Sequence, residues 1–247
     1  MPTAHDSPAR AAREALIAFV AVFVAVAVLV RINWTLPAVG HVGSACVALL
    51  FLYVPFWFAE RRQLDVANYG YRRSPLAANL RLAAVVMLVV FPIFVAVYVG
   101  FYEYACHAPS AKALVPKGMC FKYRGWTQWH GPAIDAAFIE FCLVQLVVVA
   151  LPEELFFRGF LLGTLEAHWP PARRWLGGGL GRALVVSALA FAVVHLPRGA
   201  DPRALATFFP GLLFGWMRSK TGSILSCTVV HAGSNILVRL LEMMVMR

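Results

Sequence analysis

Charge is scarce in this sequence. Of its 247 residues, 14% are charged and 61% hydrophobic, whereas a soluble domain is nearer a quarter charged. No polar segment is long enough to bury a core of its own, which excludes a separate soluble domain. The chain also lacks an internal repeat, a low-complexity tract, a CxxC or zinc-type cysteine spacing, an HExxH motif and any nucleic-acid motif. What it has is apolar sequence. Its mean hydropathy is +0.72, and runs near the ~20 residues that cross a bilayer recur along it. The expected fold is all-α, a polytopic transmembrane bundle of about seven or eight helices forming one membrane-embedded domain over residues 1–247. The formal charge of +10 does not point to nucleic acid. The basic residues lie mainly between apolar runs, as positive-inside topology and anionic headgroups favour.

Apolar run length predicts spans over about 14–34, 38–59, 80–102, from 133 to beyond 165, 182–196, 203–218 and 223–245. An eighth helix would arise if a segment such as 158–168 broke away. The basic, then apolar, start is followed by no small-residue cleavage site and reads as a retained first helix. Arg61, Arg62, Arg72, Arg73 and Arg81 mark the loop after the second span as cytoplasmic, and the N-terminus with it. The alanine- and arginine-rich composition suggests a bacterial cell membrane. The loop 103–132 would then face outward, although it carries Lys112, Lys117, Lys122 and Arg124. Cys106 and Cys120 lie in it, either bridged or as two free thiols. Trp126 and Trp129 suggest that it folds back on the membrane surface, as a lid or as a passive connector. Cys46, Cys142 and Cys227 lie in apolar runs and are expected simply to pack.

Few polar residues interrupt the spans, and they are informative. Ionisable groups at membrane depth mark a functional site or a paired structural charge. In "LPEELFFRGF", Glu154 and Arg158 are four apart, share a helix face and can pair. Glu153 is rotated by about 100° and need not share that partner. His195 ends the helix that contains Phe191. His231 and Asn235, also four apart, share a face of the last span. Each cluster alone could be structural, but three of them on separate helices favour one shared polar site. A carboxylate kept from bulk water suits general-base work, and imidazole and amide N–H groups can stabilise an oxyanion. Peptide hydrolysis within the membrane is therefore coherent without a serine or cysteine nucleophile.

At these residues the chain resembles the CAAX protease and bacteriocin-processing family of intramembrane glutamic endopeptidases. The motifs are Glu153-Glu154-Leu-Phe-Phe-Arg158, Phe191-Ala-Val-Val-His195 and His231-Ala-Gly-Ser-Asn235, in that order, within a core of about 138–237. Residues 1–132 carry no recognised motif. The resemblance implies that Glu153 activates water, that His195, His231 and Asn235 complete the catalytic site, and that Glu154 and Arg158 support it. It implies no cofactor and no metal. Its substrates would be membrane-associated proteins or peptides, such as a prenylated tail or the C-terminal sorting signal handled by the myxosortase branch. Three other readings stay open. Glu153, His195 and His231 could hold zinc with one open position. Buried Glu and His could serve a transporter, although no inverted repeat is present. The chain could also be a non-catalytic immunity protein. One conflict remains. Strict alternation of spans would put Glu153 and His195 at opposite depths, unless the fourth helix runs unbroken from about 134 to 168.

Overall fold

The computed structural model describes residues 7–36, 40–72, 75–125, 128–129, 131–199 and 201–246. Seven long helices account for most of it: α1 (Pro8–Leu29), α2 (Val42–Arg61), α3 (Leu76–His107), α4 (Ala136–His168), α5 (Arg182–Val193), α6 (Phe208–Thr221) and α7 (Leu225–Val245). Five of them, α1 to α4 and α7, are long and apolar enough to cross a membrane. The expected all-α membrane bundle is thus the fold observed. Arg73 and Trp126, and the expected start of the second span at residue 38, lie outside the described residues.

Helix ends follow local chemistry. Ser7 caps α1 by accepting from the Arg10 N–H, and Pro8 occupies the first turn, so the helix begins earlier than the apolar run. Asp135 caps α4 by accepting from the Phe138 N–H. α6 ends at Gly222, in the left-handed conformation that favours glycine.

The break near residue 158 does not occur, because α4 continues to His168. One expectation needs correction: α5 and α6 are not full spans. With 12 and 14 residues they reach only about 18–21 Å at 1.5 Å per residue, against ~30 Å of hydrocarbon. Apolar run length cannot separate such half-spans from short full ones. α5 stops at Val193, and a 3-10 turn that contains Pro197 follows at Leu196–Arg198. α5 and α6 pack closely because Gly211 lies against Ala188.

The bundle has two distinct ends. At one, Arg62 pairs with Glu14 at 2.9 Å, Arg72 donates to the Gly222 carbonyl, and the Ile224 N–H donates to the Gly70 carbonyl. The hairpin β1 (Thr35–Leu36) with β2 (Gly40–His41) joins α1 to α2 at the other end. The hairpin β3 (Arg173–Trp175) with β4 (Gly178–Leu180) returns to the arginine-rich end. It is pinned there by Trp216, whose indole N–H donates to the Trp175 carbonyl. A Cβ at Gly178 would fall on the Trp216 ring.

At the opposite end lies the loop between α3 and α4. Cys106 and Cys120 are bridged, with a Cα–Cα separation of 5.3 Å. The Arg124 N–H donates to the Val245 carbonyl, Tyr123 bridges to Met246, and Arg203 donates to the Leu114 carbonyl. The Tyr123 hydroxyl donates to Glu103 at 2.7 Å; burial and that carboxylate push the phenol above its ordinary pKa. The loop is therefore tied to the end of α7. Closing a loop of roughly 15 residues contributes about 3 kcal/mol. Cys106→Ser, Cys120→Ser and the double variant should each lose about this much stability in detergent. Unfolding curves that overlay wild type would refute a stabilising bridge.

Candidate active site

The site is built around an irregular stretch of α4. Pro152 has no N–H to donate in the helix interior. Immediately before it, over Gln145–Ala150, the helix widens to π hydrogen bonding, and it widens again over Leu155–Leu162. The single turn Leu151–Glu154 between them presents the two glutamates. Such π segments recur at functional sites.

Glu154 and Arg158 are both completely buried. The Arg158 Nη1 donates to Glu154 Oε1 at 2.8 Å. The guanidinium lies 4.0 Å from the Phe191 ring centroid and 5.1 Å from that of Phe214, and Nη2 donates to the Gly211 carbonyl at 3.4 Å. The same Glu154 oxygen contacts His231 Nδ1 at 2.8 Å. A carboxylate already paired with arginine is an acceptor, so His231 donates from Nδ1. Its Nε2 then lies 3.8 Å from Glu153 Oε2, beyond hydrogen-bond reach. Phe214 stacks on the His231 ring at 5.2 Å and Phe191 meets it edge-on at 5.7 Å.

Glu153 differs from its neighbour. Its Oε2 is buried but has no hydrogen-bond partner, and the side chain lines a cavity of about 1150 Å³. His195, His231 and Asn235 line the same cavity. His195 lies just past the end of α5 and its Nδ1 sits 2.7 Å from the Phe191 carbonyl. A carbonyl only accepts, so Nδ1 carries the proton and Nε2 is left uncommitted. Asn235 donates from Nδ2 to Gln145 Oε1 at 2.8 Å, which fixes the orientation of its amide and leaves the second amide hydrogen for the cavity.

All six residues singled out in the sequence therefore converge. The unbroken α4 places Glu153 near its middle, and the short α5 delivers His195 to mid-depth, which removes the conflict over depth. Three contributors were missed. Gln145 was visible as a polar residue in an apolar run, but nothing in the sequence named its partner. Phe214, beneath His231, carries no signal that distinguishes it from other apolar residues. Ser187, whose hydroxyl donates to the Phe157 carbonyl at 2.8 Å, ties α5 to α4 and looks like any small helix residue.

The fold and the cavity define a polytopic membrane protein with titratable groups gathered at membrane depth. Residues 135–237 match the model of a family described as type II CAAX prenyl endopeptidase Rce1-like. The matched segment is less than half of the chain, yet it contains every residue of the cluster, and it supports a CAAX-type intramembrane protease. No curated protein and no solved structure matches the chain.

Removing one member of a buried ion pair strands the other, at a cost of about 3–5 kcal/mol. Glu154→Ala and Arg158→Ala should each fall in thermal stability by that order. Glu154→Leu combined with Arg158→Met should lose less than either single variant, because no charge is left unpaired. Single variants that melt like wild type would show that the pair does not hold the bundle.

Proposed function

We propose that the protein is an intramembrane endopeptidase that hydrolyses a peptide bond of a membrane-associated protein or peptide by means of a glutamate-activated water. The observation that carries this reading is the Glu153 side chain: its Oε2 is buried without a hydrogen-bond partner, and it faces a cavity that it shares with two histidines and an asparagine. A carboxylate so placed can accept a proton from water as the water oxygen attacks the scissile carbonyl carbon. The second Asn235 N–H can then donate to the oxyanion. His231, held at Nδ1 by Glu154, presents its Nε2 to the same space. His195, with its Nε2 lone pair, can accept from the attacking water and hold it. Collapse of the tetrahedral intermediate breaks the C–N bond, and the proton taken by Glu153 passes to the leaving amine. Glu154 and Arg158 hold His231 in place without touching substrate. The whole chain acts as one membrane-embedded protease domain, with its N-terminus on the cytoplasmic side of a bacterial cell membrane.

The zinc reading needs three ligands drawn together. Among the described residues, no three His, Cys, Asp or Glu side chains are gathered closely enough to hold a metal ion. Dialysis against a chelator should leave activity unchanged. Activity lost to the chelator and restored by zinc would favour a metalloprotease.

Glu153→Gln keeps the shape of the side chain but cannot take the proton. Cleavage should fall by at least about 10²-fold, the low end for general-base catalysis, while the protein remains folded in detergent. The measurement is the profile of new protein C-termini in membranes from cells expressing wild type or the variant. Wild-type turnover by folded Glu153→Gln would remove the mechanism.

A further inference from the structure

The cavity has a floor and a mouth, and they lie at opposite ends of the bundle. Below the glutamates, towards the arginine-rich end, Leu155 to Leu162 are all buried. Phe156, Phe157 and Phe160 pack there against one another and against Phe51, Phe58 and Tyr69, with ring centroids 4.8 to 5.7 Å apart. That aromatic layer seals the site from below. Above the glutamates the lining climbs five helices in one direction. It runs from Phe51 back to Ser44 on α2, from Glu153 back to Asp135 at the start of α4, from His231 on to Met243 on α7, from Phe191 to Arg198 past the end of α5, and from Phe214 back to Thr207 at the start of α6. Exposure rises along the same path: His231 is buried, whereas Asp135, Arg198 and Arg239 are exposed. The opening exists because α5 and α6 stop short and leave that half of the bundle unfilled.

The mouth lies at the end that carries the Cys106–Cys120 disulfide, since the disulfide loop is tied to Val245 and Met246 just past the end of α7. Disulfides persist in oxidising compartments and are rare in cytosol. The sealed end holds Arg61, Arg62, Arg72 and Arg81, joined in the fold by Arg173, Arg174, Arg182, Arg218 and Lys220. This larger share of the Lys and Arg residues marks the cytoplasmic side. The two signals are independent and agree.

We propose that the cavity is entered from the non-cytoplasmic side, so that the substrate is an exported, membrane-anchored polypeptide rather than a cytosolic lipid-modified tail. The inference rests on the protease reading for the word substrate, but the sidedness of the cavity does not. Glu153 lies 18 residues along the chain from Asp135, the N-cap of α4, about 27 Å at 1.5 Å per residue. An extended chain covers ~3.3 Å per residue, so about eight unpaired residues must separate the membrane surface from the bond that is cut. A transmembrane helix cannot reach Glu153 by this route while it stays helical.

The test is labelling of single cysteines in spheroplasts by a membrane-impermeant maleimide, with Cys46 and Cys142 replaced by alanine. Arg239→Cys sits at the rim, Arg61→Cys at the sealed end, and Ser234→Cys lines the deep cavity. Arg239→Cys should label fully in intact spheroplasts, and Arg61→Cys only after they are broken. Ser234→Cys should react from the outside with a small charged methanethiosulfonate, more slowly than Arg239→Cys. Labelling of Arg61→Cys in intact spheroplasts, or reaction of Ser234→Cys from inverted vesicles alone, would overturn the proposal. The result does not depend on proteolysis, which Glu153→Gln tests separately.

Discussion

One carboxylate oxygen organises the site. Glu154 Oε1 accepts from Arg158 on its own helix and from His231 on α7. Arg158 in turn lies over Phe191 of α5 and Phe214 of α6 and donates to the Gly211 carbonyl. A charge at this depth without a partner costs several kcal/mol. The register of four helices is therefore set by the need to keep a single ion pair satisfied. Helix packing in a membrane has little hydrophobic drive of its own, so a polar anchor with directional bonds supplies what apolar contact cannot: one particular depth and rotation for each helix.

The second constraint is length. Two helices that span only part of the bilayer leave backbone ends at depth, and such ends are tolerated only where they are buried in protein or line a polar cavity. Here they do the latter. His195, Arg198 and Thr207, which lie between the two short helices, line the cavity, so the truncation that creates the space also furnishes part of its polar lining. The close contact of Gly211 with Ala188 lets the two short helices stand as one unit against α4 despite their limited reach.

Much of this was legible in the sequence, for a physical reason. Ionisable residues are expensive in lipid, so Glu153, Glu154, Arg158, His195 and His231 stand out against apolar surroundings, and helical spacing gives the Glu154–Arg158 pair directly. Pairing across helices was not legible. Spacing put His231 and Asn235 on one face of the last span, and in the fold both line the cavity, but their partners lie on α4: Glu154 holds His231 and Gln145 holds Asn235. Nor could apolar run length reveal that α5 and α6 are half-spans, because the same residues suit lipid, a neighbouring helix or a cavity wall. The disulfide was left open because spacing alone does not set the distance between two cysteines. The fold of the loop closes that distance.

On the proposed mechanism, the adjacency of the two glutamates follows from incompatible demands. An anchor must have its charge fully paired, buried and immobile. A general base must keep an oxygen uncommitted, because a lone pair already given to arginine is a poor acceptor for a further proton. One side chain cannot meet both demands. Consecutive positions on a helix differ by about 100°, enough to turn Glu154 into the protein and Glu153 towards the cavity while a single rigid turn holds both. The anchor then holds Glu153 in place while its Oε2 stays without a hydrogen-bond partner. It reaches across to His231, so the imidazole that faces Glu153 is positioned by the neighbouring carboxylate and the gap of 3.8 Å between them is maintained by the backbone of one helical turn.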